Sequence, residues 1–347
     1  MFNGFDLSTV SAVYKGAQAI SEIYKGSTKI WPVHDYSQDY LTIVSTSNNN
    51  TIGWKIDSDT DATSLRTISV STDNGTTWTS YTSSITGTTL TTLNNGDKLL
   101  IKGTNTAYGA SSNSKCNYFI SSDTFKVEGN IMSLIYGDNF TGQTTLSADY
   151  TFKRLFYQVS GLTNDENLVL PATALTYYCY QEMFRGCSSL TTAPELPATT
   201  LVDNCYREMF YSCTALITAP ELPATTLANR CYGDMFNTCT SLTTAPELPA
   251  TTLVDNCYYN MFRGCTALTT APELPATTLV KSCYYYMFRN CPSLTYIKCL
   301  ATNISASSCV SNWVSGVSAS GTFVKNANTT WPTGASGIPS GWTIQNA

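Results

Sequence analysis

The residues best suited to chemistry in this chain of 347 residues are its 13 cysteines. Ten of them form two series with a constant step of 26 residues: Cys179, Cys205, Cys231, Cys257 and Cys283, then Cys187, Cys213, Cys239, Cys265 and Cys291. Zinc sites bring cysteines together at spacings of two to four residues, whereas these lie eight apart within a copy. We therefore predict two columns of buried thiols, with disulfides or a metal site as the alternatives.

Catalytic groups are scarce. Nucleophilic and general-base catalysis usually depends on a histidine or a poised carboxylate pair. His34 is the only histidine, and its place beside Pro32 favours a solvated linker residue over a catalytic one. The phosphate-binding patterns GxxxxGK[ST] and GxGxxG do not occur. We predict that the protein is not an enzyme, with no catalytic residue, no cofactor and no metal.

A tyrosine follows the first cysteine of each copy. The five are Tyr180, Tyr206, Tyr232, Tyr258 and Tyr284. A tyrosine ring has an apolar face and a polar hydroxyl, which suits sugar rings and protein partners. Tyr180 also lies four residues before Phe184, so the column could instead pack along the edge of each copy. Both roles stay open, a ligand or partner surface and internal packing.

One glutamate per copy forms a further series. It consists of Glu195, Glu221, Glu247 and Glu273. These carboxylates would lie about 5 Å apart if the copies stack with the spacing of neighbouring strands. Like charges that close repel unless they are solvated or bridged by a cation. We predict a solvated rim, with a bound Ca²⁺ or a basic partner surface as the alternatives.

The element that must position these residues is a repeat of 26 residues. The copy LPATTLVDNCYREMFYSCTALITAPE runs from Leu196 to Glu221. Apolar residues recur every four positions in its first half, at Leu201, Cys205, Met209 and Cys213. That spacing predicts one face of a helix or helical turn. The run 216–219 predicts a short strand that Pro220 closes. One copy cannot bury its apolar face alone, so we predict that the copies stack.

The stretch CSSLTTAPELPATTLVDNCYREMFYSC, from Cys187 to Cys213, resembles the BspA-like branch of leucine-rich-repeat proteins. The segment GTFVKNANTTWPTGASGIPSGWTIQ looks like the cap that commonly follows such repeats. The resemblance covers residues 142–347 and implies a leucine-rich-repeat-type solenoid. Proteins of this kind are frequent in gut Bacteroidales and in their crAss-like bacteriophages, as surface adhesins or as head and tail fibres. The Pro-Glu-Leu-Pro link departs from the family, whose coils are usually shorter.

The N-terminal region carries a smaller repeat. Val-Tyr-Lys-Gly at 13–16 recurs as Ile-Tyr-Lys-Gly at 23–26, which predicts a small hairpin. An isolated hairpin is marginally stable in water. We therefore predict an anchor that docks on another protein or on a second copy of the chain, through Tyr14, Tyr24 and Trp31. The alternative is a flexible leader that packs on the chain's own middle domain.

Residues 37–132 have the pattern of an all-β domain. Runs rich in β-branched and aromatic residues occur at 41–44, 68–70, 99–101 and 118–120, separated by turn signals such as Asn74-Gly75. Short strands at this spacing predict a small immunoglobulin-like β-sandwich. Cys116 is the only cysteine in this range, so the Cys…Trp…Cys pattern of true immunoglobulin domains is absent.

Composition excludes two classes of partner. Charged residues are 12% of the chain and the net charge is −5, without a basic stripe that could neutralise phosphates, so we predict no nucleic-acid binding. No run of 18 apolar residues occurs, so we predict no membrane span. The segment 1–16 has no cationic stretch followed by an apolar core, so we expect either a protein made and folded in a cytoplasm or a mature form whose signal was removed, and Met1 favours the first.

The predicted fold is a multi-domain chain with a β leader, an immunoglobulin-like sandwich and a solenoid with degenerate caps. The predicted boundaries are 1–36 (anchor), 37–132 (sandwich), 133–169 (linker and N-terminal cap repeat), 170–298 (five repeats) and 299–347 (C-terminal cap). The predicted function is a virion structural protein, a head or tail fibre component. It would attach to other virion proteins through its N-terminal segment and to host-surface glycan or protein through the solenoid.

We expect a homo-oligomer, a dimer or a trimer, because fibres are usually closed by symmetry. Its place would be the virion surface, after synthesis in the host cytoplasm. The alternative is a bacterial cell-surface adhesin of the BspA-like kind, which binds host or mucin ligands.

Overall fold

The structure, a computed structural model, describes residues 13–15, 18–20, 23–25, 28–31, 34–59 and 61–347. For the strands before residue 32, and for residues 165 and 166, it describes the backbone alone. These N-terminal strands are β1 (Val13–Lys15), β2 (Gln18–Ile20), β3 (Ile23–Lys25) and β4 (Thr28–Trp31). Antiparallel pairs form between β1 and β2 and between β3 and β4.

Two facing sheets follow. Their strands are β5 (Leu41–Ser45), β6 (Asn50–Ile56), β7 (Thr67–Ser71), β8 (Thr79–Thr82), β9 (Thr88–Leu93), β10 (Lys98–Lys102), β11 (Asn117–Ser121), β12 (Phe125–Asn130) and β13 (Leu162–Val169). The strand orders are β13-β12-β5-β10-β7-β8 and β11-β6-β9. The turn between β7 and β8 starts at Asn74 and Gly75, whose φ angles of 57° and 83° suit those residue types.

Helices are short throughout the described ranges. The α-helix is α1 (Ser133–Tyr136), and the 3₁₀ helices span Tyr36–Gln38, Ala62–Ser64, Asn113–Lys115 and Gly137–Asn139. Within the described part of the chain, no helix has both the length and the apolar character that a membrane span requires.

Trp54 of β6 is fully buried in the hydrophobic core. Its ring contacts those of Phe119 and Tyr108, with centroids 4.8 and 5.7 Å away. The indole N–H donates to the carbonyl oxygen of Arg66 over 2.8 Å, and the Tyr108 hydroxyl donates to that of Leu134 over 2.6 Å. The polar atoms of both large side chains are therefore satisfied inside the apolar core.

The sheets and the repeats share one core. Strand β13, which lies in the segment predicted as linker and cap repeat, pairs in parallel with β12 at the edge of the larger sheet. Beside it, the ring of Phe119 stacks on that of Phe156, and Phe156 stacks on Phe184, both at 5.5 Å. The β-rich part is therefore packed directly against the first copies of the repeat.

Each copy of the repeat consists of a turn segment and an irregular link segment. The turn segments are 176–187, 202–213, 228–239, 254–265 and 280–291, and the link segments between them are 188–201, 214–227, 240–253 and 266–279.

Backbone amides in the turn segments alternate between two kinds of partner. The N–H of Met209 donates to the carbonyl oxygen of Tyr206 in its own turn over 3.2 Å. The next N–H, from Phe210, donates to the carbonyl oxygen of Met235 in the following copy over 3.0 Å. Every fourth residue is left-handed, as at Asn204 and Glu208, both with a φ of 58°. Neighbouring copies are therefore joined by a ladder of main-chain hydrogen bonds.

The predicted fold class is wrong. The fold is mostly β-sheet, with α1 as the single, short α-helix among the described residues, and it is not a leucine-rich-repeat-type solenoid. Such a solenoid needs a strand in every coil, but 216–219 makes only an isolated bridge between Thr218 and Thr244. The spacing of four also does not make a helix, because a left-handed residue interrupts each turn. The sandwich was predicted to end at residue 132. Its larger sheet also contains β13, from residues 162–169, which lie outside that range.

Identical side chains of successive copies lie next to each other inside the stack of repeats. Phenylalanine rings of neighbouring copies stack with centroids 5.4–5.8 Å apart. All 13 cysteines are free and buried, which confirms the prediction of buried thiols. The second cysteine of each copy donates its S–H to a phenylalanine carbonyl of the preceding copy, as Cys213 does to Phe184 over 3.1 Å.

The C-terminal end is closed by a small parallel sheet and by tryptophans. Its strands are β14 (Tyr296–Cys299), β15 (Thr322–Lys325) and β16 (Thr343–Asn346), in that order. The ring of Trp313 stacks on Tyr284, the last ring of the tyrosine column, at 6.1 Å, and on Trp331 at 5.6 Å. These larger rings cover the apolar end of the stack.

Candidate functional site

The tyrosine column predicted as a possible ligand surface lies inside the protein. Tyr180, Tyr206, Tyr232, Tyr258 and Tyr284 are each 1% exposed. Their rings stack with centroids 5.7–6.0 Å apart. Of the two roles left open, packing is the one that this burial allows, because a ligand cannot reach the rings.

The glutamate series lies on the outside, on the link segments. Glu195, Glu221, Glu247 and Glu273 are all exposed. Glu273 pairs with Lys298, at 2.9 Å between Oε2 and Nζ, and the described residues offer no ion pair to the other three. Within the same ranges, no group of three His, Cys, Asp or Glu side chains is placed to hold a metal ion.

The remaining predicted residues lie towards the N-terminus. Tyr14, Tyr24 and Trp31 belong to β1, β3 and β4, and their side chains lie outside the described part of the structure. His34 is exposed and contacts the Asp39 carboxylate, with 2.5 Å between Nε2 and Oδ2. Of the four, His34 is the one whose side chain is described, and it makes no described contact with the tyrosine column.

Two outward faces of the stack differ in how much the copies vary. The link face, formed by the outward side chains of the last ten residues of each link segment, has the same sequence TAPELPATTL at 192–201, 218–227, 244–253 and 270–279. The turn face, formed by the outward side chains of the turn segments, changes from copy to copy. One of its positions holds Gln181, Arg207, Gly233, Tyr259 and Tyr285, and another holds Arg185, Tyr211, Asn237, Arg263 and Arg289.

Exposure alone does not explain this difference. Link-face residues such as Glu221 and Thr225 are exposed and yet identical in all four link segments, whereas turn-face residues such as Tyr259 are half-buried and vary. The turn face is also rich in Tyr and Arg, which are enriched where proteins bind partners. The rings of Tyr259 and Tyr285 stack at 5.0 Å, and the guanidinium of Arg289 lies 4.6 Å from the Tyr286 ring.

The N-terminal end of the turn face contains a polar cavity of about 490 Å³, which we call the junction pocket. It lies between the loop around Ser111 and Asn113, the segment around Lys153 and Arg154, and the first two turn segments. Its size is typical of small-molecule sites. The loop that contains Ser111 and Asn113 forms one wall of the pocket, and residues 150–208 form the rest.

Cations outnumber carboxylates in the junction pocket. Its lining includes Lys153, Arg154, Arg185 and Arg207 against Glu182 and Glu208. The carboxylates are already paired. An oxygen of Glu182 lies 2.7 Å from Arg154 Nη2, and one of Glu208 lies 2.7 Å from Arg207 Nη2. The pocket is thus locally positive in a chain whose net charge is −5, and it is suited to an anion.

Sequence reasoning missed the junction pocket because it looked for columns of identical residues. The positions at which the copies differ were the useful signal. The adjacent pair Lys153-Arg154 was a second signal, because only 12% of the chain is charged. The contact of the Ser111 loop with the repeats has no signal in the sequence, since about 40 residues separate the two.

Comparisons with protein-family models, with curated proteins and with solved structures found no match for this chain. The resemblance to the BspA-like family remains a prediction.

Proposed function

We propose that this chain is a non-enzymatic attachment protein, a head or tail fibre component of a virion. Its turn face would bind a glycan or protein on the host surface. The observation that carries the attachment role is that variation between copies is concentrated on the turn face, while the equally outward link face stays identical. Different side chains at successive copies give a surface that can distinguish one ligand from another, whereas a purely structural surface has no use for such variation.

The stacking of the copies supports this role physically. Each turn segment donates alternate main-chain N–H groups to the next copy, and columns of aromatic rings run beneath the face. These contacts hold the outward side chains at fixed distances from one another. A surface that is already ordered loses little conformational entropy when it binds, which favours affinity.

The virion location rests on the resemblance of 187–213 to repeat proteins of gut Bacteroidales and their phages. Quantitative mass spectrometry of purified virions tests it, and the chain should be present at a fixed copy number per particle. Detection in the bacterial envelope, and not in particles, would instead place the protein among cell-surface adhesins. Light scattering after size exclusion should give two or three times 37.7 kDa, and a monomer at micromolar concentration would contradict the fibre role.

Attachment itself is tested with the purified full-length chain. We expect it to bind either to intact cells from a panel of Bacteroidales strains or to immobilised mucin, with saturation. When free polysaccharide from the bound surface is added in excess, it should compete with that surface and reduce the amount of chain that binds. If circular dichroism shows that the protein is folded and it binds neither the cells nor the mucin, the attachment role is refuted.

A further inference from the structure

We propose that the junction pocket binds a sugar acid, a saccharide residue that carries a carboxylate, as found in acidic glycans. This inference rests on the proposed attachment function and names the ligand class for one part of the turn face. Three features of the pocket support it: an unpaired ammonium group, an unpartnered amide and an aromatic pair at its edge.

The ammonium group belongs to Lys153. Its residue is only 3% exposed, and its Nζ donates one hydrogen bond, to the carbonyl oxygen of Ala110 over 3.1 Å. Among the described residues no carboxylate lies within 4 Å of Nζ, because Glu182 and Glu208 are paired with arginines. A buried charge without a counter-ion is unfavourable. A carboxylate from outside would supply the missing partner.

The surroundings of Lys153 agree with this assignment. Burial lowers the pKa of Lys153, and the charged or titratable groups that face it are Cys116, Glu182, Arg154 and Arg207. Glu182 is the one carboxylate among them, and it accepts a hydrogen bond from Arg154 Nε over 2.8 Å. Glu182 acts on Lys153 only through space, because Arg154 holds its carboxylate, so the ammonium group has no carboxylate bonded to it.

The amide belongs to Gln181, which also lines the pocket. Its residue is 5% exposed, and its Oε1 has no hydrogen-bond partner. Buried side-chain polar atoms nearly always have a partner. An amide offers both a donor and an acceptor, whichever way it is oriented. Sugar hydroxyls also donate and accept, so a saccharide would satisfy Gln181 where a simple anion would not.

The aromatic pair consists of Tyr150 and Tyr178. Their rings stack at 5.0 Å with an angle of 16° between planes, and Lys153 Nζ lies 5.3 Å from the centroid of Tyr150. Both residues line the pocket and are partly exposed. An apolar ring face beside a cation suits a ligand that has a C–H face and a carboxylate.

Titration of the full-length chain with four probes tests the proposal. Glucuronic acid has both the ring and the carboxylate, N-acetylneuraminic acid is a second sugar acid, acetate has the carboxylate alone, and glucose has the ring alone. Calorimetry or NMR should show a sugar acid binding at least ten times more tightly than acetate or glucose. If acetate binds as tightly as the sugar acid, the saccharide ring plays no role in binding. If glucose binds as tightly, the carboxylate plays none. Either result overturns the proposal.

Variants locate the site. Lys153→Met should weaken binding of the sugar acid at least tenfold, and Gln181→Leu three- to tenfold. Lys281→Met, which removes an exposed lysine from the far end of the turn face, should change it less than twofold. Because Lys153→Met removes an unpaired buried charge, the midpoint of its thermal unfolding should be equal to or higher than that of the unaltered chain. A lowered midpoint with unchanged affinity would mark Lys153 as structural and overturn the proposal.

The two proposals fail in different ways. If the chain attaches to cells or mucin but binds neither sugar acid, this inference is wrong and the attachment function stands. If it binds a sugar acid through Lys153 but attaches to neither surface, the pocket stands and the attachment function is wrong.

Discussion

The thiol of Cys239 donates a hydrogen bond to the carbonyl oxygen of Phe210 in the preceding copy, over 3.0 Å. The same oxygen accepts the N–H of Cys213. One carbonyl thus joins two copies, and the contact recurs between Cys265 and Phe236 and between Cys291 and Phe262. The cysteines are therefore structural, each of them packed and hydrogen-bonded at the contact between two copies.

Cys239→Ala should lower the free energy of unfolding by about 1–2.5 kcal/mol, because it removes a buried sulfur and leaves a small cavity. Chemical denaturation measures the change. Thr251→Ala, at an exposed link-face residue, is the matched control and should stay within about 0.5 kcal/mol of the parent. An equal effect of both substitutions would show that the thiol contributes nothing specific.

Alkaline pH should destabilise the protein strongly. Burial raises the pKa of Cys179 and Cys231 to about 12 and that of Tyr206 well above its usual value. Unfolded thiols titrate near pH 8.5, so the folded state binds more protons above that pH, and stability is lost as the pH rises. Each such group contributes up to about 1.4 kcal/mol per pH unit.

Urea midpoints at pH 7 and pH 9.5 measure this effect. The urea midpoint should fall sharply from pH 7 to pH 9.5. Between pH 6 and pH 7.5 the buried thiols and phenols should not change it, because they stay protonated in the folded and the unfolded protein. A midpoint that is the same at pH 9.5 as at pH 7 would mean that the thiols are accessible in the folded protein.

Tyr258→Phe should stabilise the protein. The Tyr258 hydroxyl is buried without a hydrogen-bond partner, and its removal relieves a desolvation penalty of about 1–2 kcal/mol. Tyr108→Phe is the opposite control, because that hydroxyl donates to Leu134 and its loss should cost about 1 kcal/mol. Thermal melts of the two variants should shift in opposite directions. A loss of stability in Tyr258→Phe contradicts the account of the column.

Arg230→Asn should also raise stability, by about 0.5–1 kcal/mol, because Arg230 is exposed with a φ of 51° and Asn tolerates the left-handed region better. The copies already have Asn204 and Asn256 at this position. Thr225→Asn, on the link face and outside the left-handed region, should give no gain. If denaturation finds the same change for both substitutions, backbone conformation is not the cause.

The period of 26 residues was enough to predict which side chains meet. It placed each cysteine beside its counterpart and in the core, as found for Cys205 and Cys231, both 0% exposed. It did not predict the backbone, because a spacing of four fits both a helical face and a chain of turns with a left-handed residue at every fourth position. The residues at those positions, such as Asn204, Asn256 and Gly264, favour the second and carried the missing signal.

The binding surface was less predictable than the core. Burial follows from apolar periodicity, and so the link-face glutamates were placed on the outside. The tyrosine column has a mixed character, and its burial depends on the neighbouring Phe column, which continues through Phe184 and Phe210. The junction pocket depends on a contact between the Ser111 loop and Lys153, and local sequence does not determine such long-range contacts.

The most direct test compares the two faces of the stack on the surface to which the unaltered chain attaches. One variant replaces Tyr259, Arg263 and Tyr285 of the turn face with serine, and its matched control replaces Glu221, Thr225 and Glu247 of the link face with serine. Interferometry on the immobilised surface should show at least a tenfold loss of affinity for the first variant and less than a twofold change for the second. Loss of affinity in the link-face variant, with the turn-face variant unaffected, would contradict the account.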